Sequence, residues 1–158
     1  MATIDKHLVF RRLERPLEVK GQLFVAFDSI RDRCRQEVKI DTAEMFQLLS
    51  AKIADGSALC VVGVYDDSQA TIRTLHLLES NTNEWTGTTF ASITLAWSSI
   101  RIPMEAYHRL IAVLCVCAKG KGLAKVVFNS SRSHKAFGRI AYKLGFTGTE
   151  TVVFEKGV

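Results

Sequence analysis

The sequence predicts an α/β chain of the α+β type: a mixed six-stranded sheet with helices on both faces, in the order β-α-α-β-β-β-α-β-α-β. Three observations carry that expectation. Apolar residues recur at helical spacing from Leu23 to Ile53, switch to an extended pattern from Ala58 to Ile102, and return to helical spacing after Pro103. Short polar breaks separate the middle strands, as antiparallel neighbours require, whereas the strand runs Val126 to Phe128 and Thr151 to Lys156 each follow a helical stretch and are reached by crossovers. A length of 158 residues with 47% hydrophobic side chains suffices for a single domain, residues 1–158, with a continuous core and without disulfides or metal.

Taken in order, His7 to Leu13 is an opening strand, and Pro16 stands where a helix can begin, with Glu18 in its first turn. Leu23, Phe24, Phe27, Ile30 and Cys34 form the apolar stripe of that helix, and Gly21 weakens its start by about 1 kcal/mol relative to alanine. Asp41 or Thr42 caps a second helix, in which Met45 or Phe46, Leu49 and Ile53 are spaced for burial and Gly56 is the stop. Leu59 to Tyr65 is a buried strand, Asp66 to Gln69 a turn, and Thr71 to Leu78 the returning strand of a hairpin. The polar loop Glu79 to Thr89 leads into a long strand, Phe90 to Ile102. Ala91, Ile93, Leu95 and Trp97 are odd-numbered there, whereas Ile100 and Ile102 are even. A β-bulge at Ser98-Ser99 explains the change of parity, and so does a strand that leaves the sheet at Ser98 or one that is apolar on both faces near its end. After Pro103 a third helix, apolar over most of its surface and therefore expected to be largely buried, ends at Lys119-Gly120-Lys121-Gly122. The strand at Val126 then feeds a polar turn, Asn129-Ser130-Ser131, and an amphipathic helix through Phe137, Ile140 and Leu144 that stops at Gly145.

No stretch approaches the roughly 20 apolar residues that span a bilayer, and Asp5, Lys6, Arg11, Arg12 and Glu14 interrupt any signal-peptide pattern. The expectation is a cytoplasmic protein without membrane contact. Cys34, Cys60, Cys115 and Cys117 form no CxxC pair, and on a helix the sulfurs of Cys115 and Cys117 point about 200° apart. All four are expected to be buried thiols, with no metal site. The net charge of +5 favours an anionic partner, and Arg132, Lys135, Arg139 and Lys143 share one side of the last helix. They lie opposite Phe137, Ile140 and Leu144 with no aromatic residue among them for base stacking, so a solvated helix face is the simpler reading and nucleic acid is not the expected partner.

The element order, closing with strand, helix and Leu144-Gly145-Phe146, resembles the GNAT superfamily of acetyl-CoA-dependent N-acetyltransferases over nearly the whole chain. The resemblance implies a bulged fourth strand that splays from the fifth, leaving a cleft where pantetheine pairs with backbone and pyrophosphate meets the start of the next helix. Cofactor contacts then fall on Ile100, Ile102, Tyr107, His108 and Arg109. The family signature places Arg or Gln, then two small residues, in a loop after that strand; Ala106, Arg109 and Ile111 stand at those positions, so the cradle is blocked or rebuilt. In the family's second signature, His134 takes the place of an asparagine and Ala141 that of the tyrosine that protonates the departing thiolate; Tyr142 is one residue late, about 100° around the helix. Tyr142 is nevertheless the candidate acid, and Glu79 and His76 are the candidate bases.

A shorter run, Asn129 to His134 with Phe137 and the glycine stop, resembles the C-terminal part of small GNAT-like internal virion proteins of short-tailed phages, which also lack the glycine signature. Two functions follow from these resemblances. One is a catalytically silent GNAT-fold virion or accessory protein with a protein partner and no cofactor, resident in the host cytoplasm or the virion. The other is an active N-acetyltransferase that uses acetyl-CoA through an atypical pyrophosphate site, for which Arg109, Lys119 and Lys121 offer basic contacts.

Overall fold

A computed structural model describes residues 7–34, 38–67, 70–128, 141–146 and 156–157. The chain divides into two compact units, Met1–Phe128 and Asn129–Val158.

The first unit holds five strands in one sheet, in the spatial order β1 (Leu8–Leu13), β2 (Ala58–Tyr65), β3 (Thr74–Asn83), β4 (Thr88–Ser98) and β5 (Val126–Phe128). The first four form an antiparallel meander. β5 runs parallel to β4, with Ala91, Ser92 and Ile93 opposite Val126, Val127 and Phe128, and is reached through a helical crossover. Helices α1 (Lys20–Arg33) and α2 (Thr42–Asp55) cover one face, and α3 (Met104–Gly120) covers the other. β2 shows why both faces need cover. Cys60 and Val62 join the core under α1 and α2, Leu59 and Val61 join the core under α3, and the strand is buried on both sides through Val64.

The expected ten-element order with six strands is corrected in two respects. The described sheet has five strands, and a 3-10 turn at Pro16–Val19 precedes α1. Pro16 sets its own φ and brings no N–H, but Arg15 caps nothing with its side chain, so the chain tightens into i→i+3 bonds before the α-helix begins at Lys20. The strand expected at Thr151 to Lys156 lies outside the described residues except for Lys156, which is in no strand. Asn129 to Ile140 also lies outside them.

α2 follows its sequence signals closely. Asp41 accepts a hydrogen bond from the Glu44 backbone N–H at 2.7 Å, Phe46 and Leu49 are buried, and Gly56 stops the helix at φ +77°. α3 departs from expectation. Only Ala106, Leu110, Leu114 and Ala118, each one turn after the last, are buried, whereas Cys115 is exposed and Val116 stands 71% exposed. A helix lying on one sheet face buries one stripe whatever its remaining surface contains. Of the four cysteines Cys60 alone is buried, and burial pushes its thiol up to about 12.

The β3–β4 hairpin is longer than the sequence suggested. β3 starts at Thr74 rather than Thr71, and the stretch expected to be a loop continues as paired strand to Asn83 opposite Thr88. Thr82, Thr88 and Thr89 are β-branched, and Asn81 Nδ2 donates to Ser92 Oγ across the pair at 3.0 Å, so polar residues hold strand geometry without a core beneath them.

In the second unit, residues 141–143 are helical, the Phe146 N–H bonds the Ala141 carbonyl at 3.0 Å, and Gly145 takes φ +85°. This is the glycine stop expected at Leu144-Gly145-Phe146, with the six-to-one bond of a Schellman motif.

Two glycines in the first unit respond oppositely to a methyl group. A Cβ at Gly63 would collide with Thr74 Oγ1 and sit 2.9 Å from Phe10 Cε1, whereas one at Gly21 would meet nothing within 4 Å. In chemical denaturation, Gly63→Ala should cost about 1–3 kcal/mol by overpacking, and Gly21→Ala should add about 0.5–1 kcal/mol by removing unfolded-state freedom from a helix.

Candidate functional site

The register of β4 changes in its middle. Leu77 pairs with Leu95 and Leu78 pairs with Ile93, which leaves Thr94 as an extra residue on β4. The bulge expected on this strand is therefore present at Thr94 and not at Ser98-Ser99. At Ser98 the strand ends: Ser98 Oγ accepts from the Ile100 N–H at 3.2 Å, and Ser99 N–H donates to the Arg73 carbonyl at 2.9 Å. The odd-numbered apolar residues that looked like one face belong to two. Ala91 and Ile93 pack with α3, whereas Leu95 and Trp97 pack with α1 and α2. No signal in the sequence singled out Thr94, because each half of β4 is apolar at odd positions and the slip between them leaves that pattern unbroken.

β5 pairs with β4 on the near side of the bulge, with Phe128, the last described residue of the strand, opposite Ile93. Among the described residues β5 matches β4 only through Ile93, so the edge of β4 from Thr94 to Ser98 has no strand beside it. Ser99 to Pro103 then leads to the first turn of α3. Pro103 caps α3 without a side-chain hydrogen bond, Tyr107 N–H is the first helical donor, reaching the Pro103 carbonyl, and Glu105 occupies the first turn.

The residues expected to hold a cofactor are arranged around that start. Ile100, Ile102 and Tyr107 form an apolar cluster with Leu8, Phe10 and Tyr65, with Ile102 and Ala106 buried in it. His108 is exposed. Arg109 Nη2 donates to the Leu8 carbonyl at 3.1 Å, so its guanidinium is engaged by the backbone of β1. Ala106, Arg109 and Ile111 all lie inside α3 rather than in a loop ahead of it.

The candidate bases are not brought together. Glu79 lies opposite Ala58 on the face of α1 and α2, where it pairs with Lys52. Burial opposes ionisation of Glu79, but hydrogen bonds from Lys52 and Thr94 and the Lys52 charge outweigh it and hold the carboxyl below its usual range. His76 lies opposite Val61 on β2 and Ala96 on β4, on the face of α3. It is 8% exposed, its Nδ1 has no hydrogen-bond partner, and burial pushes its imidazole down to about 4. Thr74, fully buried two residues earlier on the same face, also has an unpartnered hydroxyl. Tyr142 belongs to the second unit, where it is 57% exposed. Of the basic residues of the last helix only Lys143 is among the described residues, and it is exposed. Among the described residues no group of His, Cys, Asp or Glu could hold a metal ion, and no helix is long and apolar enough to cross a membrane.

No family model and no curated protein matches the chain. Solved structures do. An aminoglycoside acetyltransferase from an uncultured soil metagenomic sample, in complex with trehalose, superposes with a TM-score of 0.71 at 15% identity over 99% of both chains. Glucosamine-6-phosphate N-acetyltransferase from Arabidopsis thaliana gives 0.67 at 14%, covering 96% of this chain and 99% of the other. A predicted acetyltransferase with acetyl-CoA from Clostridium acetobutylicum gives 0.68 at 14%, covering 95% and 96%.

A neutral buried His76 makes stability depend on pH. Its folded-state pKa lies below the unfolded value of about 6.5, so its contribution is complete above that pH and is lost as pH falls toward about 4, where the unfolded chain binds the proton first. At about 1.4 kcal/mol per unit, the loss should approach 3 kcal/mol. In denaturant titrations between pH 6.5 and 4, His76→Leu should lose less stability than the unaltered protein by roughly that amount, and equal losses would show that His76 is not buried neutral.

Proposed function

We propose that this chain, whose fold is that of the GNAT acetyltransferases, uses the scaffold as a catalytically silent accessory or virion-assembly protein that acts as one domain through a protein partner. The observation that carries this reading is the start of α3. The helix begins directly after Pro103, so the positions where the family keeps a phosphate-cradling loop are helical, with Ala106 buried and Arg109 bonded to Leu8. Glu105 adds a carboxylate to the first turn, which satisfies the positive end of the helix and repels a second anion. These residues do not fit a pyrophosphate. The candidate bases add support, since Glu79 is held ionised against Lys52 on the face away from His76.

A second reading, an N-acetyltransferase that takes acetyl-CoA through an atypical contact, is favoured by one feature: the β4 edge from Thr94 to Ser98, which lies beyond a bulge and, among the described residues, has a strand only on its β3 side. Thermal unfolding with and without acetyl-CoA or CoA separates the two. A ligand at about 100 times its dissociation constant adds about 2.7 kcal/mol, several degrees for a chain of this size. We expect no shift at millimolar cofactor; a shift of several degrees with either compound would overturn the silent reading and support the enzyme.

A further inference from the structure

β1 forms one side of the sheet, and among the described residues no strand lies beyond it. Its backbone groups alternate in direction. The Asp66 N–H donates to the His7 carbonyl at 3.0 Å, so His7, Val9, Arg11 and Leu13 turn their N–H and C=O groups toward β2, whereas Leu8, Phe10 and Arg12 turn theirs away from the sheet. The Leu8 carbonyl meets a partner in that outward direction, the Arg109 guanidinium at 3.1 Å. The outward groups of Phe10 and Arg12 have no hydrogen-bond partner among the described residues. α3 thus covers the first outward carbonyl of the edge and leaves the next two positions open.

Open edges are ordinarily blunted by charge, and β1 carries charge in a particular arrangement. Leu8 and Phe10 pack with α3 and Leu13 packs with α1 and α2, so alternation along the strand puts Arg12 on the first face and Arg11 on the second. Both arginines are exposed and neither has an ion pair among the described residues; Val9, on the face of Arg11, is 36% exposed. A strand laid along this edge meets two unpaired guanidiniums at successive positions, one on each of its faces, and each can hold a carboxylate through two N–H groups. A second copy of the chain does not suit the edge, because two β1 strands paired about a two-fold axis bring four arginines together. We propose that an extended segment of a partner protein, carrying two adjacent acidic residues, adds to the sheet at Phe10–Arg12, its backbone pairing with the outward groups of Phe10 and Arg12 and its carboxylates meeting Arg11 and Arg12. This rests on the reading of the chain as a protein that acts through a partner. Its test uses no cofactor, so its outcome is separate from that of the acetyl-CoA measurement.

Fluorescence anisotropy with a labelled peptide provides that test, the probe being a strand-forming sequence of threonine and valine with a glutamate pair at its centre, and far-ultraviolet dichroism verifies that each variant is folded. The unaltered chain should bind the peptide, more weakly as salt rises. The same peptide N-methylated through its central residues keeps both carboxylates but loses its pairing donors, and should not bind. Arg11→Glu should weaken binding more than tenfold. Arg12→Ala removes one charge; Arg12→Pro removes the same charge and the outward N–H as well, at an edge position where proline leaves the pairing with β2 in place, so it should bind about tenfold more weakly than Arg12→Ala. Should Arg12→Pro fail to fold, the methylated peptide makes the same backbone test on the unaltered chain. No binding at millimolar protein, equal binding of the methylated peptide, which marks attraction by charge alone, or an affinity unchanged by Arg11→Glu would each overturn the proposal.

Discussion

The β-bulge at Thr94 is the constraint on which the first unit depends. One extra residue in β4 turns the strand over, so Ala91 and Ile93 serve the α3 core while Leu95 and Trp97 serve the core of α1 and α2. Without it the four residues would lie on one face and one of the two cores would lose its share of β4. The bulge also places the Thr94 hydroxyl against Glu79. A single local irregularity thus sets both packing and the electrostatics of a candidate base.

Much of the fold was legible because its signals are local. The Asp41 cap, the Gly56 and Gly145 stops and the run from Leu59 to Tyr65 each depend on residues within one turn or one strand, and each lies where the sequence indicates. Pairing was not legible in the same way. The hairpin extends to Asn83 because cross-strand polar contacts support it, and the bulge lies at Thr94 because two cores compete for β4. Neither depends on a pattern that a single strand carries. The burial of α3 was overestimated for a related reason: apolar content describes what a helix can bury, and the neighbours decide what it does bury.

The candidate site was legible in identity more than in arrangement. The residues at the start of α3 depart from a small-residue signature in the sequence itself, yet nothing in the spacing indicated that Arg109 would reach the Leu8 carbonyl, a contact across 101 positions of chain. Likewise His76 and Glu79 are three residues apart, and strand alternation alone separates them to opposite faces.

The edge of β4 beyond the bulge, which has no strand on its β5 side among the described residues, and the packed start of α3 impose opposite demands on any ligand. An acyl chain lying along Thr94 to Ser98 would find backbone partners, but a diphosphate at its far end would meet Glu105 and a helix whose first turn is already packed against Leu8 and Ile102. Loosening that turn exposes Ile102 and Ala106, which are buried against β1, so the apolar cluster resists the rearrangement that phosphate binding demands. The same packing thus anchors the start of α3 to the sheet.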